Sequence, residues 1–271
     1  MKHLFLLLRL SLKRVRLLLI VTGFLLAFLQ LLRVGIAADL HNAGQFDLLA
    51  ALLPPIVRKL FGSAFGSILT FNGIVCGVYF DTGFIIALLA LAITLATLPA
   101  SEIESGFADL ILARPVPRHS IITRTIALVL LALILMLLMI LAGTWIGLVL
   151  FAPPDAPWPS PRQISTLSLS LALLVLSWSG VALALGAAYR RGIAAATTAL
   201  LIFGAMLLDW AHRIWPPIDW FARLSPFYYF DPYELIGAGS LRLSNLFVLA
   251  AIAFAGFTLA YFIYSRRDIA R

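Results

Sequence analysis

The stretch HSIITRTIALVLLALILMLLMILAGTWIGLVLF, residues 119–151, decides the fold of this chain. It carries no charged residue after Arg124, and about 20 apolar residues are enough for a helix to cross the hydrocarbon core of a bilayer. Prolines at positions 153, 154, 157, 159 and 161 then prevent the helix from continuing. Residues 119–151 therefore predict a membrane-spanning helix.

The composition of the whole chain agrees with this prediction. Of its 271 residues, 62% are hydrophobic and 12% are charged, and the mean hydropathy is +1.04. Soluble domains are about 45–50% apolar and about 25% charged, so this chain has too few polar side chains to cover its surface in water. The predicted fold class is an all-α polytopic membrane protein.

Working outward from residues 119–151, the hydropathy predicts five more spans in a single transmembrane domain, residues 1–271. The six predicted transmembrane helices are residues 17–38, 81–100, 119–151, 164–189, 192–211 and 244–265. Asp81 is the predicted N-cap of the second span. Residues 39–80 contain Leu53-Pro54-Pro55 and several glycines, which predicts an outer or re-entrant segment rather than a span. Residues 212–243 form a second outer segment.

The basic residues predict the orientation. With the N-terminus inside, most of the 20 basic residues fall in short cytoplasmic segments, as the positive-inside rule requires. They are Lys2, Arg9, Lys13, Arg14, Arg16, Arg114, Arg118, Arg124, Arg190, Arg191, Arg266, Arg267 and Arg271. Both termini are then cytoplasmic. A cleaved signal peptide is the alternative for residues 17–38, and the five spans that follow argue against it.

Residues 1–16 form an amphipathic pattern. On a helical wheel, the basic residues Lys2, Arg9, Lys13 and Arg16 lie on one side and Leu4, Leu8, Leu12 and Val15 on another. This pattern predicts an interfacial helix on an anionic inner leaflet. A plain topology anchor is the alternative, and the two interpretations are compatible.

Several kinds of chemistry are missing from the sequence. None of the lysines follows the GxxxxG of a phosphate-binding loop, so ATP hydrolysis of that kind must occur on another protein. No HExxH or GxSxG motif is present, the four histidines are far apart, and no metal site is predicted. The single cysteine, Cys76, is interpreted as a small packing residue. The net charge is +8, but the basic residues lie in short segments between apolar runs and form no basic face interleaved with aromatic residues. This placement argues against nucleic-acid binding.

Charged residues are sparse within the spans. Arg33, Asp81 and Asp209 all fall near predicted outer ends rather than at the middle of the membrane. Ion-coupled carriers usually place an ionisable or broken-helix site near the midplane. The absence of a charged residue from the middle of the predicted spans argues against a secondary transporter. It favours amphipathic or apolar cargo over small ions.

The third span contains the GxxxG motif Gly143-Thr144-Trp145-Ile146-Gly147. Small residues at this spacing allow two helices to approach closely. The motif predicts packing between two helices of one chain, with dimerisation as the alternative.

The loop between the second and third spans, residues 101–118, carries both signs of charge. Glutamates stand near the start of a short predicted helix, and Pro115 and Pro117 end it. An amphipathic element of this kind suits docking into a groove on a soluble partner. A membrane-surface turn that separates two helices is the alternative.

This loop resembles the ABC-2 family of ABC transporter permeases, whose members carry a run similar to E-x-E-x-G-T-L-x-x-L-L-A-R-P-V-S-R. A second resemblance is Leu224-Ser225-Pro226-Phe227 with Tyr228, Tyr229, Asp231 and Pro232, and a third is the ending Tyr264-Ser-Arg266-Arg267-Asp268. In the loop, Phe107, Ala108 and Pro117 depart from the family pattern. The matching loop residues are Glu102, Glu104, Gly106, Leu112, Ala113, Arg114, Pro115, Val116 and Arg118.

The resemblance implies a permease subunit of an ATP-driven exporter in a bacterial inner membrane. Two permease chains, as a homo- or heterodimer, would form the pathway, and cytosolic ATPase subunits would bind ATP and Mg²⁺; this chain would carry no cofactor and no catalytic residue. Residues 1–16 resemble the family's connecting helix, and Phe227, Tyr228 and Tyr229 would help to gate the exit. The loop would be the coupling helix, with Glu102, Glu104, Gly106, Asp109, Arg114, Pro115 and Arg118 as its ATPase-coupling residues.

Alternatives remain for two of these expectations. The aromatic residues around the exit, among them Trp210, Trp215 and Trp220, also fit an aromatic belt at the lipid interface. The chain could be a stand-alone carrier or membrane enzyme, or a non-transporting assembly or sensor factor. Family resemblance does not choose among drugs, lipids, polysaccharides and peptides as cargo.

Overall fold

The computed structural model describes residues 2–55, 65–105, 119–238 and 242–266, and every regular element in these ranges is helical. Short 3₁₀ turns lie at Gly77–Tyr79, Pro216–Ile218 and Pro226–Tyr229. The α-helices are α1 (Lys2–Asn42), α2 (Phe46–Leu52), α3 (Phe65–Ile68), α4 (Phe71–Cys76), α5 (Thr82–Ala96), α6 (Leu98–Glu104), α7 (His119–Phe151), α8 (Pro161–Ala188), α9 (Arg191–Ile214), α10 (Asp219–Ala222), α11 (Pro232–Ala238) and α12 (Leu243–Arg266).

In these described ranges, six helical segments are long and apolar enough to cross a membrane, which confirms the predicted number. The third, His119–Phe151, has the predicted bounds, and the last three differ from prediction by a few residues at their ends. The first two are longer than predicted. The six segments are Leu6–Asn42, Phe71–Glu104, His119–Phe151, Pro161–Ala188, Arg191–Ile214 and Leu243–Arg266.

The first helix departs from the predicted boundary between an interfacial helix and a span. α1 runs for 41 residues without a break, because no proline or glycine interrupts it before Gly23. Val15 is buried, and Leu8 and Leu12 pack against the core of the bundle. At about 1.5 Å per residue, the helix is about 60 Å long, twice the thickness of the hydrocarbon core. The helix is therefore longer than one span needs, and the part of it that includes Leu8, Leu12 and Val15 packs on the bundle.

The second segment joins the short helix α4, which lies within the predicted outer or re-entrant residues 39–80, to the predicted span. α4 is largely buried and packs against α1, so its short backbone is covered by protein as an irregular element in a membrane requires. The α5 helix then begins at Asp81, whose carboxylate accepts hydrogen bonds from the backbone N–H groups of Gly83 and Phe84. The predicted N-cap is confirmed.

Helix α8 occupies the centre of the bundle. It packs against α5, α9 and α12, while α1 lies along α7. In the most apolar window of α8, 67% of the residues are buried inside the protein, against 22% in α9 and in α12. α9 and α12 thus leave most of their apolar surface for lipid, while α8 and the second segment, which is also 67% buried, supply much of the core.

Glycines set the closest helix contacts. A Cβ added at Gly143 would lie 2.4 Å from the carbonyl oxygen of Ala27, and one at Gly147 would meet Val34. Both contacts join α7 to α1 of the same chain. The prediction that the GxxxG motif packs two helices within one chain is confirmed.

Candidate functional site

The elbow, defined here as Thr97 and α6, ends the second membrane-spanning segment. Its helix starts anew at Leu98 because Pro99, near the start of the helix, has no N–H to bond to the carbonyl four residues earlier. The Thr97 hydroxyl donates a hydrogen bond of 2.8 Å to the Ile93 carbonyl. The elbow thereby turns at a defined residue and keeps Leu98, Pro99 and Ala100 buried.

Glu102 holds the elbow against the third span through a buried ion pair. Its Oε2 accepts a hydrogen bond of 2.6 Å from Nη2 of Arg124 on α7. The side chains of Glu102 and Arg124 are 5% and 2% exposed, so this pair is shielded from the solvent and salt that weaken surface pairs. In this position Glu102 orients the elbow and presents little surface to another molecule.

Glu104 joins the same elbow to the fifth span. Its Oε1 accepts a hydrogen bond of 2.7 Å from the backbone N–H of Arg191, the first residue of α9. The N-cap residue Arg190 makes no side-chain capping bond, and a carboxylate is favourable at the positive end of a helix dipole. Glu104 therefore caps α9 from a distant part of the chain and is itself exposed.

One further contact lies at this end of the bundle. The hydroxyls of Thr123 on α7 and Tyr261 on α12 are 2.7 Å apart. Together with the Glu102 and Glu104 contacts, this hydrogen bond makes three polar contacts at one end of the bundle, which link the elbow to the starts of α7 and α9 and link α7 to the end of α12. We call this group of contacts the elbow cluster.

The remaining predicted coupling residues, Gly106, Asp109, Arg114, Pro115 and Arg118, lie outside the described residues. In the predicted interfacial segment, Lys2 begins α1, and the side chains of Arg9, Lys13 and Arg16 are exposed. These three basic side chains point away from the bundle, while Leu8, Leu12 and Val15 of the same pattern pack on it.

The predicted exit residues lie at the other end of the bundle. Phe227 is buried, with its ring centroid 5.9 Å from that of Trp178 on α8. Tyr228 and Tyr229 are half-buried, and Tyr228 packs on His212. The aromatic-belt interpretation is wrong for Phe227, because this ring is part of the protein core. It fits Trp210, Trp215 and Trp220, which are all exposed.

Ion pairs reinforce this second end. Arg33 pairs with Asp81 at the start of α5, and its guanidinium lies over the ring of Phe84. Arg213 binds both carboxylate oxygens of Asp209, at 3.1 and 3.3 Å. Tyr233, which lies outside the spans, packs under the guanidinium of Arg213. Burial raises the pKa of the Tyr233 hydroxyl. His41 lowers the pKa of Asp155 by a hydrogen bond to its carboxylate.

Sequence reasoning missed the polar contact that anchors α4. The Gln30 side chain is fully buried, and its Nε2 donates to the Val75 carbonyl at 3.1 Å and to Thr144 Oγ1 at 3.0 Å. A glutamine within an apolar span was the available signal. The sequence also did not reveal that Arg124 pairs with Glu102 or that the Arg191 backbone pairs with Glu104. It placed these arginines only as positive charges near the membrane surface.

Cys76 is buried, and its thiol donates to Asn72 Oδ1 at 3.3 Å, in keeping with a packing residue. Among the residues that the structure describes, no group of three or more His, Cys, Asp or Glu side chains could hold a metal ion. Comparisons with protein-family models, with curated proteins and with solved structures found no match to this chain.

Proposed function

We propose that this chain is the membrane-spanning permease subunit of an ABC-2 type exporter, driven by a separate cytosolic ATPase. The elbow cluster is the observation that supports this proposal. The elbow contacts α7 through Glu102 and α9 through Glu104, so a force on the loop that follows it would reach two spans at once. A surface turn that merely connects two helices has no need of a buried ion pair and a long-range helix cap.

The charges at the two ends of the bundle support the proposed orientation. The acidic residues Asp39, Asp47, Asp81, Asp155, Asp209, Asp219, Asp231 and Glu234 lie at or near the end opposite the elbow. The basic side chains described at the elbow end, beside Glu102 and Glu104, are Arg9, Lys13, Arg14, Arg16, Arg124, Arg190, Arg191 and Arg266, whereas those described at the opposite end are Arg33, Arg162, Arg213, Arg223 and Arg242. By the positive-inside rule, the elbow end faces the cytoplasm of a bacterial cell and both termini lie there.

The proposal requires two partners. The resemblance of residues 102–118 to ABC-2 permeases implies a second permease chain, identical or different, and ATPase subunits that bind ATP and Mg²⁺. Residues 106–118 would dock on the ATPase, and Glu102 and Glu104 would transmit its movement to the spans. The exposed basic face of Arg9, Lys13 and Arg16 would meet the anionic inner leaflet.

The test is the double variant Glu104→Ala with Arg114→Ala. We expect it to lose copurification with an ATPase from solubilised native membranes, or to lose substrate-stimulated ATP hydrolysis after reconstitution. Glu104→Ala detaches the elbow from α9, and Arg114→Ala alters the predicted docking surface. ATPase copurification and hydrolysis are measured on the full chain in each case.

The matched control is Asp219→Ala with Arg223→Ala, which removes an exposed ion pair of the other end and leaves the elbow intact. The control should behave as wild type. Normal copurification, transport and ATP hydrolysis by the elbow double variant would contradict the proposal. Transport or catalysis by the purified chain in liposomes without nucleotide would favour a stand-alone carrier or enzyme instead.

A further inference from the structure

A groove lies between α7 and α8 at the end of the bundle opposite the elbow. The two helices are joined by a short loop, but α8 makes its main contacts with other helices, and a cavity of about 390 Å³ separates their walls. This volume lies within the range of small-molecule sites in proteins. The walls are formed by Ile134, Leu137, Leu138, Leu141 and Trp145 on α7, and by Pro161, Ile164, Ser165 and Ser168 on α8.

The groove walls are apolar despite the two serines. Ser165 Oγ donates to the Arg162 carbonyl at 2.9 Å, and Ser168 Oγ donates to the Ile164 carbonyl at 2.8 Å. Because each hydroxyl proton is used within the helix, the walls offer a ligand chiefly hydrocarbon contacts. Ile134 and Leu138 are each 54% exposed, so the groove opens sideways towards the bilayer.

The length of the groove matches one leaflet. From Ile134 to Trp145 its α7 wall covers eleven residue steps, which is about 16 Å at about 1.5 Å per residue. Half of a hydrocarbon core about 30 Å thick is about 15 Å. One acyl chain of a single leaflet spans this depth.

The open end of the groove has the groups that a lipid headgroup would meet. Trp145 and Trp158 lie with their ring centroids 6.2 Å apart, and tryptophans prefer the depth of the headgroups. Arg162 is exposed and directly follows the groove residue Pro161. It takes part in none of the ion pairs among the residues that the structure describes. An exposed guanidinium one residue from the groove wall is complementary to a phosphate attached to an acyl chain.

We propose that this groove binds one anionic phospholipid from the leaflet at the loop end, with an acyl chain between α7 and α8 and the phosphate on Arg162. The groove encloses its lipid from two sides and adds a charge contact. The proposal does not depend on the transport function.

The experiment measures lipid retained by the full chain. The protein is purified from bilayers that contain equal amounts of phosphatidylglycerol and phosphatidylcholine with the same acyl chains, and bound lipid is counted by native mass spectrometry. We expect wild type to retain one lipid per chain, mainly phosphatidylglycerol. Arg162→Gln should lower the preference for phosphatidylglycerol about fivefold, the contribution of one basic residue near a membrane surface.

Ser168→Phe fills the groove and should remove the retained lipid, and Ser165→Phe serves if the first variant does not fold. Leu169→Phe, at an exposed position that does not line the groove, is the matched control. Arg223→Gln removes a charge already paired with Asp219. Both controls should retain lipid as wild type does.

Unchanged lipid retention by folded Ser168→Phe or Ser165→Phe would overturn the proposal, as would an unchanged headgroup preference in Arg162→Gln. Conversion of a dimer to a monomer by Ser168→Phe, with lipid unaffected, would make the groove an interface between two copies of this chain and would also overturn it.

Discussion

Arg124 and Glu102 bury opposite charges where the elbow meets the third span. Two ions removed from water gain little net stability from each other, but an ion left alone in the same place is costly. Arg124 is among the largest fully buried side chains of the described residues, so its loss would also remove packing. The pair therefore fixes the position of the elbow more than it adds stability.

We expect Arg124→Met to lower the free energy of unfolding by about 3 kcal/mol, because it leaves the Glu102 carboxyl buried without its partner. The double variant Arg124→Met with Glu102→Gln should recover part of this loss. Unfolding of the purified chain in mixed micelles measures both. Arg223→Met breaks an exposed pair and should cost less than about 1 kcal/mol; an equal loss for Arg124→Met and Arg223→Met would refute the argument.

Gly143 permits the closest approach between α1 and α7. We expect Gly143→Ala to destabilise the protein by about 1–3 kcal/mol, because the new methyl group would collide with the Ala27 backbone rather than with a movable side chain. Gly204→Ala makes the same change where no atom lies within 4 Å. That control should be neutral or up to about 1 kcal/mol more stable, through helix propensity. Similar unfolding curves for the two variants would contradict the packing.

At the scale of elements, the short buried helix α4 depends on contacts from other helices. A six-residue helix is too short to be stable alone. Thr70 caps its start by accepting a hydrogen bond from the Gly73 N–H, and Gln30 of α1 supplies a donor to the Val75 carbonyl near its end. Asn72 adds a bond to Gln163 of α8 at 3.2 Å. These bonds let the irregular backbone remain among the spans.

The single cysteine reports on the position of α4. Cys76 is 1% exposed, so we expect it to react slowly with a membrane-permeant maleimide in the folded protein. Gln30→Leu should speed this alkylation about tenfold, because α4 loses one hydrogen bond that holds it to α1. Gln45→Leu makes the same change at an exposed position and should leave the rate unchanged. Equal rates in all three proteins would show that Gln30 does not hold α4.

At the scale of the whole molecule, the contacts separate two ends. The elbow cluster joins Glu102, Glu104, Thr123, Arg191 and Tyr261 at one end. The contacts between Arg33 and Asp81, and between His41 and Asp155, lie at the other. Each span that connects these ends reverses direction relative to the one before it.

Combined with the proposed orientation, this arrangement predicts which thiols face outward. In a Cys76→Ala background, an impermeant maleimide should label Asp155→Cys in intact cells, because Asp155 is 78% exposed at the end opposite the elbow. Ser105→Cys and Ser265→Cys, which are exposed at the elbow end, should react only after the cells are opened. Labelling of Ser105→Cys from outside would place the elbow in the periplasm and remove its access to a cytosolic ATPase.

The sequence by itself determined the number of spans and the approximate bounds of most of them. Apolar runs such as residues 119–151 have no stable solvent other than lipid, and Asp81 caps the backbone of its own helix, so both effects can be read locally. The break of the predicted span 81–100 at Thr97, beside Pro99, was not predicted. The uninterrupted α1 was not foreseen. Residues 1–16 are amphipathic in either case, and only the presence of a helix bundle beside them decides whether their apolar side packs on protein or lies on lipid.

Only the tertiary structure decided the partners of the polar side chains. Glu102 and Glu104 were predicted to be ATPase-coupling residues of the loop 101–118. Their bonds to Arg124 and to the Arg191 backbone, like those of Gln30 to Val75 and Thr144, cross from one helix to another. Periodicity places a residue on a face of its own helix. Periodicity does not say which helix lies opposite that face, because this depends on how the spans pack. Close packing is set jointly by residues such as Gly143 and Ala27, which lie far apart in the chain.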